Sequence, residues 1–252
     1  MPHFTSVTST PFIKNKLKLS KNEIHLWLTE PALLDEESSD DSVLLAEYGE
    51  LLTEDETLKQ QRYKFSKDRH SALVTRAFVR DLLSYYAELS PSAWRFKKGE
   101  KGKPEIVNSP LPLRFNLSHT QGLIVCAVTL NDDIGCDVED TARDNDVLAI
   151  ATRYFSSQET DELFSLPKIA QRSRFFDYWT LKESYIKAWG LGLAIPLNDF
   201  SFRINDKSSQ QSLSNQSNFI IKDVIKLSFA EHRVDQPSIW RSWIIYPTHH
   251  EK

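Results

Sequence analysis

Residues 175–192 read FFDYWTLKESYIKAWGLG, with no Gly or Pro before Gly190. Phe175, Tyr178, Trp179, Leu181, Tyr185, Ile186 and Trp189 recur at helical spacing over a wide arc of the turn, so the stretch predicts a mostly buried helix. Glu183 and Lys187 are four apart and share one flank of that arc, acid before base, which is the favourable order. Alone, such a pair reads as solvated surface charge. Lys182 falls inside the apolar arc, where a free surface lysine does not belong. Either its stem runs along Trp179 and Ile186 to water, or its ammonium reaches a phosphate or a buried carboxylate.

Working outward, a chain of 252 residues with 40% apolar content can bury a large core, as one domain or as two of roughly 120 residues. A net charge of −4 supplies no basic field for nucleic acid or an anionic membrane. No run approaches the ~18 apolar residues of a membrane span. Cys126 and Cys136 form neither a disulfide framework nor a metal-ligand spacing, which fits a reducing, cytoplasmic setting. No GxxxxGK or GxGxxG occurs, so a bound nucleotide would not rest on a P-loop or a Rossmann turn.

Along the chain, residues 1–22 read as a solvated lead-in with a basic cluster at Lys14, Lys16, Lys18 and Lys21. EIHLWL (23–28) alternates like a half-buried strand, and an acidic loop follows over 35–41. Thr53 with Glu56 is a capping box for a helix to about residue 65. A second helix is expected over about 67–89, burying Leu73, Ala77, Val79, Leu82 and Leu83 and stopped by Ser90-Pro91. WRFKKGEKGKP (94–104) reads as a strand turning through a Gly/Lys loop, and NSPLP (108–112) as a linker. LIVCAVTL (123–130) is a buried strand whose hairpin partner is expected in IGCDVE (134–139), after a turn at 131–133. Helices follow near 146–154 and after Ser156, where Glu159 completes a second capping box. The Gln/Ser/Asn-rich tract 206–218 reads as a flexible insertion, and 240–246 as a closing strand. Each half thus offers strands plus one long helix.

Three groups of residues suggest chemistry. Asp137 and Glu139, two apart in an expected strand, would point to one face; with Glu183 as a third oxygen ligand they make a candidate Mg²⁺ site, since close carboxylates need a cation between them. Ser118 and His119, in a loop ahead of the strand, would offer a hydroxyl and an imidazole to a phosphate. Arg62, Arg76, Lys103 and Lys187 are cations that singly read as surface charge.

Together, RYKFSKDRHSALVTRAFVR (62–80), GKP (102–104), FNLSHT (115–120), IGCDVED (134–140) and FFDYWTLKESYIKAWGLGL (175–193) resemble the Sfp-type 4′-phosphopantetheinyl transferases. The specific part is GxDxE followed about forty residues later by W-T-x-K-E-S-x-x-K-x-x-G-x-G-L; GKP and the Arg-rich helix are weaker signals, useful for their order. The resemblance implies an α+β fold, a monomer built as a pseudo-dimer of two similar α+β subdomains (1–115 and 116–252) with the active site in the cleft between them. It implies coenzyme A as substrate, Mg²⁺ as cofactor, and transfer of the phosphopantetheine arm to a serine of an apo acyl, polyketide or peptidyl carrier protein, releasing adenosine 3′,5′-bisphosphate. Carried over residue by residue, Arg62 and Arg76 face the adenosine phosphates, Lys103, Ser118, His119 and Lys187 the phosphates nearer the reaction, and Asp137, Glu139 and Glu183 the metal. Lys59 or Lys64 could replace Arg62, and Glu183 would serve as base directly or through a water. The apolar segment 190–197 either caps the core or, with Lys168, Arg172 and Arg174 at its rim, receives the carrier. Two other readings stay open: another Mg²⁺-dependent phosphoryl enzyme such as a nuclease, and a non-catalytic carrier-protein binder.

Overall fold

The computed structural model describes residues 3–4, 16–31, 39–190, 192–205, 219–233 and 235–247. The fold is α+β, and contacts divide the chain into two compact units, Met1–Val138 and Glu139–Lys252. The division falls after residue 138 rather than after 115. The reason lies in the sheet of the first unit.

That sheet has the order β1-β2-β6-β5, with β1 His3–Phe4, β2 His25–Thr29, β5 Leu113–Thr120 and β6 Leu123–Leu130. β5 and β6 form an antiparallel hairpin running from the Leu113↔Leu130 pair to Thr120↔Leu123, closed by Gln121 and Gly122, the latter at φ +86° where a Cβ would be strained. β2 occupies the other edge of β6. Both edges of β6 are therefore taken, and residues 134–139 cannot be its hairpin partner; they run without strand pairing. FNLSHT, expected in a loop, is β5 itself.

Three helices complete this unit. α1 (Ser39–Glu50) was not expected from the sequence. α2 (Glu54–Gln61) begins at the expected box, where Glu56 N–H donates to Thr53 Oγ1 (3.3 Å) and Thr53 N–H to Glu56 Oε2 (3.0 Å), but it ends four residues short of 65. α3 (Ser66–Ser84) ends five residues short of 89. Its Val79, Leu82 and Leu83 pack with Trp27, Trp94, Phe115, Cys126 and Val128, each apolar side chain contributing about 1.5–3 kcal/mol on burial. Val74, rather than Leu73, is the buried residue of its first half. β3 (Phe96–Lys98) and β4 (Pro104–Ile106) form the ribbon read in 94–104. Lys16 is exposed, as a solvated lead-in would be, but it is also tied down: its ammonium donates to the carbonyls of Ser84 (2.9 Å) and Ala87 (3.0 Å), placing a cation at the C-terminal end of α3.

The second unit is organised on α6 (Lys168–Trp189), closed by Gly190 in the left-handed region at φ +69°. α4 (Val147–Tyr154) is capped by Asp146 and α5 (Ser157–Ser165) by the Ser156–Glu159 box, both as expected. β7 (Phe200–Ile204) pairs with β9 (Ile225–Phe229), and β8 (Phe219–Lys222) with β10 (Ile244–Pro247). The core gathers Phe155, Leu163, Phe175, Tyr178, Leu181, Tyr185, Ile186, Phe200 and Phe202. Ile195 and Leu197 are 3% and 6% exposed, so that part of the apolar segment caps the core. Leu191 and the tract 206–218 lie outside the described residues.

Candidate active site

Residues 134–138 lie over one face of the first unit's sheet and are held there by three side chains. Asn116 Oδ1 accepts the Cys136 N–H (2.9 Å). Ser118 Oγ accepts the Val138 N–H (3.3 Å) and donates to Asp137 Oδ1 (3.1 Å). Lys103 Nζ donates to the Ile134 carbonyl (3.2 Å), and its half-buried setting pulls its pKa below the ordinary lysine value. Consecutive strand residues face opposite ways, so Ser118 is buried against the acidic segment while His119 leaves by the other face and is exposed. The two therefore do not present themselves side by side, as a loop would have allowed. By the same alternation Cys126, paired opposite Leu117, and Cys136, seated on Asn116, are buried free thiols with the sheet between them.

In the second unit, Glu139 reaches α6. Trp179 Nε1 donates to Glu139 Oε1 (3.1 Å), and the mostly exposed Arg143 donates to Glu139 Oε2 (3.2 Å). Trp179 is held by stacking on Phe175, with ring centroids 5.9 Å apart. Trp179, Glu183 and Lys187 follow at intervals of four on α6, forming one half-buried stripe with successive members about 6 Å apart along the axis. The indole thus sets Glu139 at one end of a stripe that continues with Glu183 and Lys187. The sequence reading had Trp179 only as core; its position four before Glu183 was the available signal.

Lys182 turns out to serve neither water nor phosphate. It is fully buried, and its ammonium reaches Glu159 Oε2 (2.7 Å) and the carbonyls of Leu197 (2.7 Å) and Phe200 (2.6 Å). Burial lowers its pKa against the opposing pull of Glu159. Of the basic rim, Arg174 is buried and paired with Glu162 (2.6 Å) and Asp177 (3.6 Å). Arg172 is spent on the loop after Glu139, donating to the carbonyls of Thr141 (2.8 Å) and Arg143. Neither is available to rim a docking surface.

Arg62 stands exposed at the C-cap of α2, and Arg76 lies on α3 with Nη1 on the Ala72 carbonyl (2.9 Å). Among the described residues no group of three or more His, Cys, Asp and Glu side chains stands ready to hold a metal. No helix among them is long and apolar enough to cross a membrane.

Comparison with known families places this arrangement. Residues 133–239 match the 4′-phosphopantetheinyl transferase superfamily, and residues 39–131 match the N-terminal part of a 4′-phosphopantetheinyl transferase. The chain is 34% identical over 180 residues to the 4′-phosphopantetheinyl transferase HetI of a Nostoc species, covering 71% of this chain and 73% of that protein. It is 37% identical over 147 residues to the transferase Sfp of Bacillus subtilis, covering 58% of this chain and 64% of Sfp. The transferase gsp of Aneurinibacillus migulanus is 34% identical over 163 residues, 64% of this chain and 65% of gsp. The chain belongs to the 4′-phosphopantetheinyl transferase superfamily, a family of enzymes. A holo-(acyl-carrier-protein) synthase from Bacillus anthracis, solved with coenzyme A, aligns with 42% of this chain and 93% of its own at 17% identity and a TM-score of 0.32, which adds nothing to that assignment.

Proposed function

We propose that this protein, working as a monomer, transfers the 4′-phosphopantetheine arm of coenzyme A to a serine of an apo carrier protein in a Mg²⁺-dependent reaction that releases adenosine 3′,5′-bisphosphate. Family membership supports the reaction class. The observation that carries the assignment to residues is the Trp179–Glu139 hydrogen bond, which brings Glu139 to the helix whose half-buried stripe continues with Glu183 and Lys187. The residues offered to the metal are Asp137, Glu139 and Glu183. All three offer hard carboxylate oxygens of the kind Mg²⁺ takes, and the partner of Glu139 Oε2, Arg143, is an exposed side chain that can give way. When bound, the ion would neutralise charge on the pyrophosphate and on the departing nucleotide.

The remaining steps belong to this chain's side chains. Arg62 and Arg76 hold the adenosine-end phosphates of coenzyme A; Lys103 and Lys187 serve those nearer the reacting phosphorus, and His119, exposed near the end of β5 on the sheet face away from Asp137, is offered to a phosphate at that edge. Glu183 takes the proton of the carrier serine, directly or through a water, as its oxygen bonds to the β-phosphorus and the bond from that phosphorus to the nucleotide oxygen breaks. Ser118 is better placed to hold Asp137 than to touch a phosphate.

The test is incubation with coenzyme A, Mg²⁺ and a panel of apo carrier proteins, read by intact mass. A carrier that gains one phosphopantetheine, with adenosine 3′,5′-bisphosphate released in equal amount, is expected. Magnesium-dependent loss of DNA or RNA with no coenzyme A consumed would favour a nuclease. Tight carrier binding without modification would favour a binding protein, and either outcome sinks the proposal.

A further inference from the structure

We infer that Asn116 and Ser118 are positioning residues that hold the Asp137 carboxylate in its working place, an inference that rests on the reading of Asp137 as a metal ligand given above. Residues 134–138 make no strand pairing, yet they are not a loose loop. The Cys136 and Val138 N–H groups and the Ile134 carbonyl are met by side chains, as a segment without a ladder requires.

The spacing does the work. Asn116 and Ser118 are two apart on β5, so both side chains leave the same face of the sheet. They bind the backbone N–H groups of Cys136 and Val138, which are also two apart and flank Asp137 on either side. Two strand side chains thus fix the two peptides around the carboxylate. Ser118 then completes the hold by donating its hydroxyl proton to Asp137 Oδ1 (3.1 Å). Both side chains are about 4% exposed, so water does not readily substitute for them. The Asn116 carbonyl also accepts from Cys136 Sγ (3.1 Å), which binds residue 136 to residue 116 twice.

Burying the Asn116 amide costs free energy unless its polar atoms are hydrogen-bonded, and its Oδ1 meets that requirement with the Cys136 N–H. Asn116 and Ser118 together set the backbone on both sides of a proposed ligand. Partners of this kind, which never touch the metal themselves, typically alter its affinity by about 10–100-fold when removed.

The test uses Asn116→Leu, which keeps the γ-branched shape, is somewhat larger, and removes the acceptor. Without metal, hydrogen exchange at the Cys136 and Val138 amides should quicken by about tenfold or more while the α3 amides keep their protection. Mn²⁺ binding, followed by the free-ion EPR signal, should weaken by about 10–100-fold. Raising the metal concentration should restore part of the transfer rate to a carrier. Leu83→Ala serves as the control, an equally internal lesion on α3 that lowers melting temperature and leaves Mn²⁺ binding and exchange at 136 and 138 as in the wild type.

If Asn116→Leu yields no folded protein, Ser118→Ala is read by the same measurements. Wild-type exchange and wild-type Mn²⁺ affinity in a folded variant would overturn the inference. So would Leu83→Ala reproducing both changes. Quickened exchange with unchanged Mn²⁺ affinity would show that the clamp exists but does not serve a metal, and that too overturns it. A wild-type protein that binds no Mn²⁺ and modifies no carrier would instead remove the proposed function beneath it.

Discussion

Replacing Lys182 with methionine separates a structural lysine from a catalytic one. The ammonium is fully buried and makes three contacts, to Glu159 Oε2, the Leu197 carbonyl and the Phe200 carbonyl. Glu159 is equally buried, and its other partners are the Ser156 N–H (3.1 Å), the Ser156 hydroxyl (2.8 Å) and the Phe202 N–H (2.8 Å). Methionine fills the same stem but leaves Glu159 as a buried charge without its cation and two carbonyls without a donor. Removing one member of such a pair costs about 3–5 kcal/mol. At about 2–4 °C per kcal/mol for a chain of this size, the melting temperature should fall by roughly 6–20 °C. Turnover of the folded fraction, assayed well below the transition, should stay within about twofold of wild type, since this side chain is fully buried and its ammonium is held by Glu159 and two carbonyls. Lys182→Met combined with Glu159→Gln should lose less than the sum of the single changes, by more than about 1 kcal/mol, because the second change discharges what the first left buried. Calorimetry and a carrier-modification assay at two temperatures give every quantity needed. A melting temperature within about 2 °C of wild type with collapsed turnover would show that Lys182 acts in the chemistry and that the buried pair has been misread.

Other outcomes follow from the site and its surroundings. Trp179→Phe keeps the stack on Phe175 and deletes the donor to Glu139; transfer should fall about tenfold at limiting Mg²⁺ and recover in part as Mg²⁺ is raised, whereas a uniform loss at all Mg²⁺ concentrations would contradict the positioning role. Arg62→Ala should raise the KM for coenzyme A while changing kcat little, since a contact to a remote phosphate is made in ground and transition state alike; an effect on kcat alone would displace Arg62 from the substrate. Asp81→Asn should stabilise the protein at pH 7. Burial raises the Asp81 pKa above its unfolded value, so its ionised form opposes folding above the ordinary carboxylate range, and the advantage of Asn should fade as pH falls below about 4; a gain that persists at pH 3 would point to some other cause.

What could be read from the sequence was what is decided within a few residues. The capping boxes at Thr53–Glu56 and Ser156–Glu159 involve partners three apart, and both form as read. The apolar arc from Phe175 to Trp189 is equally local, although α6 starts seven residues earlier, at Lys168, just after Pro167. What failed depended on occupancy elsewhere. Nothing within 123–139 reveals that β2 already holds one edge of β6, so the segment after the strand was given a pairing that the sheet could not offer. Lys16 looked like a tail residue because its partners, the Ser84 and Ala87 carbonyls, are about seventy positions away. Glu159 was already accounted for as a cap, which concealed its second use as the counter-charge of Lys182. Of the candidate site, the strand placement of Ser118 and the donor role of Trp179 were not legible, because each depends on partners distant in the chain.

The long helix carries two jobs on adjacent residues, and its packing explains how they coexist. Lys182 and Glu183 are about 100° apart around the axis, so whatever fixes the rotation of α6 about its own axis also aims Glu183 and Lys187. Lys182 is anchored at three points, but it is not alone on its side: Phe175, Tyr178, Leu181, Tyr185 and Ile186 are all buried in the same core. Rotating the helix enough to misdirect Glu183 would drag several of these rings and branched chains out of close packing, at a cost of kilocalories for each. The apolar residues thus fix the angle of the proposed catalytic stripe, and the buried ion pair adds stability to an angle already chosen. That redundancy is why loss of Lys182 should be felt in melting rather than in turnover. A pair of core truncations on α6, such as Leu181→Ala with Ile186→Ala, should by the same logic lower turnover even in the molecules that remain folded.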